Sequence, residues 1–512
     1  IVSRAREAGL DLSVRLIFEH QTIGALRPQV LPLAPGAAPP SSAPRGPAPL
    51  TPSQHWFLAR GAPRPQHWNL SLLLATSPSL LPRLLAAAVA SVEAHHEALR
   101  LRLSAAGWEP AAGQRPAAFH RIDLSALAAG RRAAAVEQAA AAVQRSLDLG
   151  RGPLFRAAFF ELQRGERGRL LLVLHHLVGD ARSLRLLVED LELAYRQLAA
   201  GRPPSLPPVT AQFRRFGELL AERAAAAETQ RELAYWTAPR WPRAAAGDPV
   251  APAPARATAV VSRTLPAAAS ARLVRDLPRA IRGDVAAALL AALALAMSRG
   301  GEARRLLVDL EVDGRETGLG LDLSRTVGWF TVVYPLLIEL DAETTPAAAL
   351  GRVQEQLRAV PGHGLGHGLL RHLAGDGARR ALAALAPAEV VFLHLGEFDP
   401  VRPAAPAGAG CPPFEAAAEP VGEEQDPQTP RSHPLQVMSL LQGGCLGIHF
   451  MFSPDRHRAA EIEALADRFL AALEELLCQL LASGEKAYTP SDFPRTRLSQ
   501  EDLDEIVSQL QR

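Results

Sequence analysis

The sequence predicts a mixed α/β protein that folds as two lobes. Apolar residues make up 48% of the 512 residues and charged residues 21%, which is typical of a globular protein. A chain of this length is too long for one ordinary hydrophobic core, so two or more domains or lobes are expected. From about residue 49, apolar runs typical of strands alternate with stripes of helical period, and a proline- and alanine-rich stretch at 238–257 divides them.

The chain opens with a short helical unit followed by a linker. Residues 1–30 contain an amphipathic helix that stops at Gly9 and a second short helix in TIGALRPQV, residues 22–30. Residues 31–48 are rich in proline and alanine, which predicts a stiff, exposed linker. The first residue is not methionine and falls within the first predicted helix, so we interpret the chain as a piece of a longer protein.

The first lobe is predicted over residues 49–237. Strands are predicted at 68–75, 152–162 and 169–177, and helices at 81–103 and 183–199. The third strand, RLLLVLHHL, is almost wholly apolar, which indicates a central position in its sheet. The helix after it carries a stripe of apolar residues at helical spacing and has Asp180 and Ser183 as candidate caps.

The second lobe is predicted over residues 258–490, after the inter-lobe linker at 238–257. Its elements are a helix at 284–299, a strand at 304–312, an apolar segment at 325–340, a strand at 389–398, a long loop at 400–431, a hairpin at 435–452 that turns at Gly443–Gly444, and a helix at 459–477. Residues 491–512 are predicted to be a C-terminal linker.

Charge and cysteine content exclude several classes of protein. A net charge of +2 does not favour a nucleic-acid or acidic-membrane partner. Cys411, Cys445 and Cys478 are scattered, odd in number and lack the spacing of metal ligands, so no metal site and no disulfide framework are expected. This composition, with no apolar run of membrane-spanning length, predicts a cytoplasmic protein.

Two histidines and an aspartate lie where the most apolar strand ends. His175 and His176 close the strand, and Asp180 follows before the next helix. Such junctions often expose side chains at the mouth of a cleft. A histidine pair taken alone fits core packing equally well, so these residues need the support of other motifs.

Several ordered motifs supply that support. HHLVGDARS, 175–183, follows the pattern HHxxxDG; EVDGRE, 311–316, follows EGHGRE; and RTVGWFTVVYP, PGHGLGHG and FLHLGEFD begin at residues 325, 361 and 392. With LTPSQHWF at 50–57 and HWNLSLLL at 67–74, they resemble an epimerization domain of a nonribosomal peptide synthetase, a branch of the condensation-domain superfamily, over about residues 49–490. Residues 1–30 resemble the last helices of a peptidyl carrier domain.

The resemblance implies a fold and a reaction. The implied fold is two lobes, each like a chloramphenicol acetyltransferase subunit, set in a V around a central tunnel. The implied reaction converts an L-aminoacyl or peptidyl thioester to its D epimer by removing the α-proton and returning a proton to the other face. No free cofactor is implied, because the substrate rides on the phosphopantetheine arm of an upstream carrier domain, whose attachment serine is not in residues 1–30. A downstream condensation domain is the expected next partner, and the domain is expected to be monomeric.

The resemblance also assigns the catalytic pair. His176 is the position that the family motif marks, and Glu311 is the matching carboxylate on the other lobe. Inversion through a planar enolate suits two acid/base groups on opposite faces of the carbon. Burial would have to raise the pKa of Glu311 for it to exchange protons near neutrality.

Other motif residues are expected to support this pair. His175 is predicted to pack or orient the loop, and Asp180 to hold the loop by capping the helix or pairing with an arginine, of which Arg315 is one candidate. Asp190 matches an acidic position of the family, although a solvated charge on a helix face explains it equally well.

Aromatic residues and departures from the motifs complete the prediction. Trp329 and Phe330 are expected to line a channel wall, and Tyr334 and His394 are further supporting groups. His394 replaces a tyrosine of the family motif and would have to substitute for it. The other departures are Ala181 for glycine, Leu184 for tryptophan, Asp313 for histidine, His367 for tyrosine and Leu393 for asparagine. His55, His95 and His96 have no supporting pattern and are predicted to be structural.

Two alternatives remain at this level. A condensation domain would use the same histidine to assist amide formation, but EVDGRE and RTVGWFTVVYP resemble the epimerization branch. A degenerate domain retained as a docking scaffold would account for the departures from the motifs. It would not need His176, Asp180, Glu311 and Arg315 together.

Overall fold

A computed structural model describes residues 46–482 apart from 112–117, 164, 245–257, 279–283, 300–304, 317–318, 341–343 and 398–412, together with 10–11, 22–32 and 502. Its strands are Leu10–Asp11 (β1), Leu31–Pro32 (β2), Asn69–Thr76 (β3), Leu101–Ser104 (β4), Gly107–Pro110 (β5), Phe119–Asp123 (β6), Phe155–Glu161 (β7), Arg169–His175 (β8), Ala259–Leu265 (β9), Arg305–Asp313 (β10), Thr331–Glu339 (β11), Val390–Glu397 (β12), Phe414–Ala416 (β13), Leu435–Gln442 (β14) and Cys445–Phe452 (β15).

The helices surround two larger sheets formed by these strands. They are Ile23–Leu26, Pro52–Ala59, Pro82–His95, Ala129–Gln144, Ala181–Ala199, Phe213–Ala225, Ala227–Arg231, Leu233–Trp236, Ala267–Ala271, Val285–Arg299, Pro346–Ala359, Leu365–Gly368, Asp376–Ala383 and Ala459–Ala482. In the part of the chain that the structure describes, none of them is long and apolar enough to cross a membrane.

The first lobe is a five-stranded sheet with helices on both faces. Its order is β13–β3–β8–β7–β6, so β8 lies in the centre. Helices Pro82–His95 and Ala181–Ala199 pack on one face, and helix Ala129–Gln144 packs on the other. Because both faces are covered, β8 is buried at every position from Leu170 to Leu174, and its predicted central position is confirmed.

The second lobe is a six-stranded mixed sheet in the order β11–β10–β12–β14–β15–β9. β10, β12 and β14 run parallel to one another, and the remaining pairs are antiparallel. Alternate residues of β10 are buried in the core, among them Val308 and Leu310. The residues between them, Leu307, Asp309 and Glu311, are only partly buried and lie on the other face of the strand.

Several elements differ from the sequence prediction. The helix predicted at 81–103 ends at His95, because His96 takes an extended conformation and a turn and β4 follow. The loop predicted at 400–431 contains β13, which crosses to the first lobe and pairs with β3. Strand β6 and the helices Ala129–Gln144 and Phe213–Ala225 were not predicted.

Other predictions are confirmed or lie outside the described residues. The hairpin of β14 and β15 turns at Gly443 and Gly444, whose φ angles are +55° and +78°. Of the predicted N-terminal helices, the first lies outside the described residues and the second is limited to Ile23–Leu26. Most of the predicted linkers at 31–48, 238–257 and 491–512 also lies outside them.

Candidate active site

A cavity of about 490 Å³ lies between the two lobes. The first lobe contributes Trp56 and Arg60 at the end of the helix Pro52–Ala59, and the second lobe contributes β11 and residues of β10. His176 and Glu311 do not line this cavity themselves. Each lies next to a residue that does: the ring of His176 meets that of Trp329, and Glu311 pairs with Val333 of β11.

His175 is completely buried and held on both ring nitrogens. Its Nε2 lies 2.8 Å from the carbonyl oxygen of Pro65, and its Nδ1 accepts the backbone N–H of Leu177 at 3.1 Å. These partners fix a neutral ring with the proton on Nε2. Burial lowers the pKa of His175 to about 3. The ring therefore orients the turn that carries His176.

His176 lies in an aromatic enclosure at the end of β8. Asn69 of β3 pairs with His175 of β8. The backbone carbonyl of Trp68, the residue before Asn69, accepts the backbone N–H of His176 at 2.9 Å. The indole of Trp68 stacks on the imidazole at 4.2 Å between ring centroids with 12° between planes. Trp329, which lines the cavity, meets the imidazole edge-on at 5.0 Å.

The environment of His176 favours a neutral ring. Burial lowers the pKa of His176, against the opposing effects of nearby carbonyl groups and of Asp180, while the charge of Arg60 lowers the pKa further. Within the described residues the buried Nδ1 of His176 has no hydrogen bond of normal geometry. A neutral imidazole with a free nitrogen is able to accept a proton.

Glu311 lies on the cavity side of β10, where Asp309 lines the cavity. Two residues along a strand are roughly 6.6 Å apart on the same face, so Glu311 is one step beyond the cavity wall. Burial raises the pKa of the Glu311 carboxyl, while His433 and Arg60 oppose the shift. A carboxyl with a raised pKa is able to exchange protons nearer to neutral pH.

Asp180 makes both contacts predicted for it. Its carboxylate caps the helix Ala181–Ala199 by accepting the backbone N–H and the hydroxyl of Ser183, both at 2.8 Å. Arg315 of the second lobe forms a two-pronged ion pair with the same carboxylate and also donates to the Thr326 carbonyl. Because the two side chains are 14% and 3% exposed, this is a buried clamp between the lobes.

Asp190 forms a second buried clamp between the lobes from the same helix. The alternative that Asp190 is a solvated charge on a helix face is therefore excluded. Its side chain is 1% exposed. One oxygen pairs with Arg325 of the second lobe, and the other lies 2.8 Å from Nε2 of His96. His95, His96 and Asp190 are the one group of described residues with metal-ligand distances. The guanidinium of Arg325 already supplies a cation there, so the arrangement is explained without a metal.

The remaining predicted residues divide between the cavity and the sheet. Trp329, Phe330, Tyr334 and His367 line the cavity. Burial raises the pKa of Tyr334 to about 12 and lowers that of His367 to about 4. Leu393 is the residue of β12 that pairs with Glu311, so the next residue, His394, lies on the opposite face of the strand. There its Nδ1 is 2.9 Å from the Ser439 hydroxyl.

The structure accounts for three of the residues that depart from the family motifs. Ala181 is the first residue of its helix, a position that needs no glycine. Leu184 is 4% exposed in the core. Asp313, where the family motif has histidine, accepts the backbone N–H of Arg315 and pairs with Arg182 of the first lobe at 3.3 Å.

Two site residues were not predicted from the sequence. Trp68 was part of a quoted motif, and its position just before a strand that pairs with the histidine strand was the available signal. Arg60 follows Trp56 by four residues, which places both on one side of a helix end. No sequence pattern indicated that this side faces the other lobe.

Comparisons with known proteins agree with the fold. The chain is 36% identical over 523 residues to chondramide synthase cmdD of Chondromyces crocatus, covering 100% of this chain and 13% of that protein. It is 36% identical over 535 residues to one of the linear gramicidin synthase proteins of Brevibacillus parabrevis, covering 99% of this chain and 7% of that protein. The chain therefore spans a small part of these relatives.

Solved structures extend the comparison. The epimerization domain from the third module of tyrocidine synthetase B has a TM-score of 0.75 and 26% identity, covering 85% of this chain and 98% of that one. The first condensation domain of the calcium-dependent antibiotic synthetase, at 22% identity and a TM-score of 0.61, covers 86% of this chain and 97% of that one and shows the fold alone. The predicted condensation-type α/β fold is confirmed. The condensation-domain family model matches residues 45–498, and the chain belongs to that family.

Proposed function

We propose that this chain is an epimerization domain of a nonribosomal peptide synthetase. It inverts the α-carbon of an L-aminoacyl or peptidyl thioester by removing the α-proton on one face and returning a proton on the other. The thioester acidifies the Cα–H, so the reaction needs no free cofactor. The substrate arrives on the phosphopantetheine arm of an upstream carrier domain, and the D epimer passes to a downstream condensation domain.

The observation that carries this proposal is the state of Glu311. A carboxyl with a burial-raised pKa lies on the cavity side of β10, in the second lobe, while the neutral imidazole of His176 lies in the first. Arg60 perturbs the pKa of both groups, which supports their closeness to one cavity edge. Inversion is served by two acid/base groups, one on each face of the carbon, whose pKa values lie near the working pH.

The roles follow from the directions of these pKa shifts. His176, whose pKa is lowered, takes the α-proton, and Glu311, whose pKa is raised, supplies one to the opposite face; the roles exchange in the reverse direction. His175 and the Asp180–Arg315 clamp are positioning residues that hold the turn bearing His176. Tyr334 and Trp329 form part of the wall beside the thioester.

Hydrogen exchange at the α-carbon tests the proposal. A carrier domain loaded with an aminoacyl or dipeptidyl thioester is mixed with the chain in deuterated buffer, and deuterium at Cα is followed together with chirality. Exchange with inversion is expected. His176→Ala and Glu311→Gln should each abolish inversion while the protein stays folded, and Glu339→Gln, an exposed carboxylate on β11 paired with Arg305, is the matched control. Retained inversion in both site variants would contradict the two-group assignment.

Condensation activity is the second candidate, because the matching family model is that of the condensation domain. An acceptor aminoacyl carrier added to the same mixture discriminates the two. A new amide bond without α-proton exchange would favour condensation. If neither α-proton exchange nor amide formation is observed with any substrate tried, the docking scaffold is favoured.

A further inference from the structure

Arg60 is a partly buried cation without a carboxylate partner. Its guanidinium lies against the rings of Trp56 and Phe57, at 5.2 and 5.6 Å from their centroids, and one of its terminal nitrogens donates to the Pro430 carbonyl. Among the described residues it forms no ion pair, and Nε has no hydrogen-bond acceptor. Burial lowers its pKa to about 10. The charge of Glu311 opposes that shift, but among the described residues no carboxylate lies within ion-pair distance of the guanidinium. A desolvated cation that no carboxylate contacts points to an electron-rich ligand.

Its position connects the two proposed proton-transfer groups. Phe57, which the guanidinium contacts, stacks on Trp68 at 4.0 Å, and Trp68 stacks on His176. Arg60 also lines the cavity together with Asp309, the neighbour of Glu311 on the same face of β10. Arg60 is thus a cation at the cavity edge where the reacting carbon would lie.

Other arginines of this region do not fit the same role. Arg315 is engaged by Asp180, and Arg431 donates to the Met451 carbonyl and the Thr258 hydroxyl. Arg371 also lines the cavity, but its charge acts on His367 and His372 rather than on the proposed pair.

We propose that Arg60 is a catalytic residue that donates a hydrogen bond from its guanidinium to the thioester carbonyl oxygen. When the base removes the α-proton, the C–H electron pair forms the C=C bond of the enolate and the carbonyl π electrons move onto oxygen. The guanidinium stabilises that negative oxygen, and protonation of Cα restores the carbonyl. No electrons are gained or lost overall. This inference rests on the proposed epimerization.

Alpha-proton exchange with Arg60 variants tests the inference. Arg60→Gln should lower the rate of deuterium incorporation from the loaded carrier by about 10²- to 10³-fold, the usual effect of removing one oxyanion donor. Arg60→Lys keeps a cation and should lose less. Arg121→Gln, an exposed arginine paired with Glu161 at the edge strand β6, is the matched control and should exchange at the wild-type rate.

Chemical rescue separates catalysis from packing. Arg60→Ala should regain part of its exchange when guanidinium is added at concentrations far below those that unfold the protein, and a methylammonium control should restore less. A loss that guanidinium does not restore would assign Arg60 to packing and overturn the proposal. Exchange at the wild-type rate in Arg60→Gln would overturn it while leaving the epimerization intact. An inactive wild-type protein would overturn the proposed function and this inference with it.

Discussion

Replacing Arg315 with methionine should convert a stabilising buried pair into a buried, uncompensated charge. The guanidinium makes two hydrogen bonds to Asp180 and others to Ser183 and the Thr326 carbonyl, in a site where both charged side chains are at most 14% exposed. Removing one partner of such a pair typically costs about 3–5 kcal/mol of unfolding free energy. We expect Arg315→Met to lose that amount near neutral pH.

The sign of the pH dependence makes this prediction sharper. Burial by itself raises the pKa of Asp180, but the charge and hydrogen bonds of Arg315 and those of Ser183 outweigh it and lower the pKa. In the wild-type protein the unfolded chain therefore binds more protons, and the contribution of Asp180 is present above about pH 4 and lost as the pH falls through the lowered folded pKa.

The variant should show the opposite slope. Without Arg315, burial leaves the folded pKa of Asp180 above its unfolded value, so stability is highest below about pH 4 and falls as the pH rises through the raised pKa. The penalty of Arg315→Met should thus be smallest below the lowered wild-type pKa of Asp180. At about pH 4 it should already include the lost wild-type contribution, and it should reach its full size near pH 7. Urea unfolding, followed by far-UV circular dichroism and tryptophan fluorescence, measures it across this range.

A double variant supplies the control for this prediction. Asp180→Asn removes the charge but retains an oxygen that caps the helix. In Asp180→Asn/Arg315→Met no charge is left uncompensated, so the double variant should be more stable than Arg315→Met at neutral pH. A penalty for Arg315→Met that does not change with pH, or a double variant whose loss equals the sum of the single losses, would refute the reasoning.

Three further predictions concern the site and its frame. Gly364→Ala should lower the unfolding free energy by at least about 2 kcal/mol, because φ is +82° and the new Cβ would lie 2.0 Å from the ring of Tyr334. The control Gly377→Ala, in a helix with open space around the new Cβ, should raise it by about 0.5–1 kcal/mol. Equal shifts of the thermal unfolding temperature in the two variants would contradict this prediction. Trp68→Leu should slow α-proton exchange roughly 2- to 10-fold by removing the stack worth about 0.5–1.5 kcal/mol, and a change in stability without a change in rate would exclude a positioning role. Because burial lowers the pKa of His176, the exchange rate should decline with acid only below about pH 6.5; a decline centred above that pH would assign it to another group.

Local periodicity was sufficient where burial is uniform. β8 was predicted from its apolar run because helices cover both faces of its sheet, and the hairpin was predicted because two adjacent glycines permit its turn. Prediction failed where a long-range contact overrides local preference. The helix predicted through 103 stops at His95, and His96 turns inward to bond Asp190. The short β13 has no amphipathic pattern of its own and exists because β3 offers it a free edge.

The sequence by itself determined the α/β class and the order of the main strands and helices, because periodicity is a local property of a chain. The site residues His176, Glu311, Asp180 and Arg315 were predicted from the resemblance of their motifs to the epimerization family. Only the tertiary structure decided which of these side chains lie beside residues that line the cavity. It brought Arg315 onto Asp180 across 135 positions of sequence, and placed Trp68 and Arg60 beside the proposed pair. Burial then lowers the pKa of His176 and raises that of Glu311, since the desolvation that shifts a pKa depends on what the rest of the chain packs around the group.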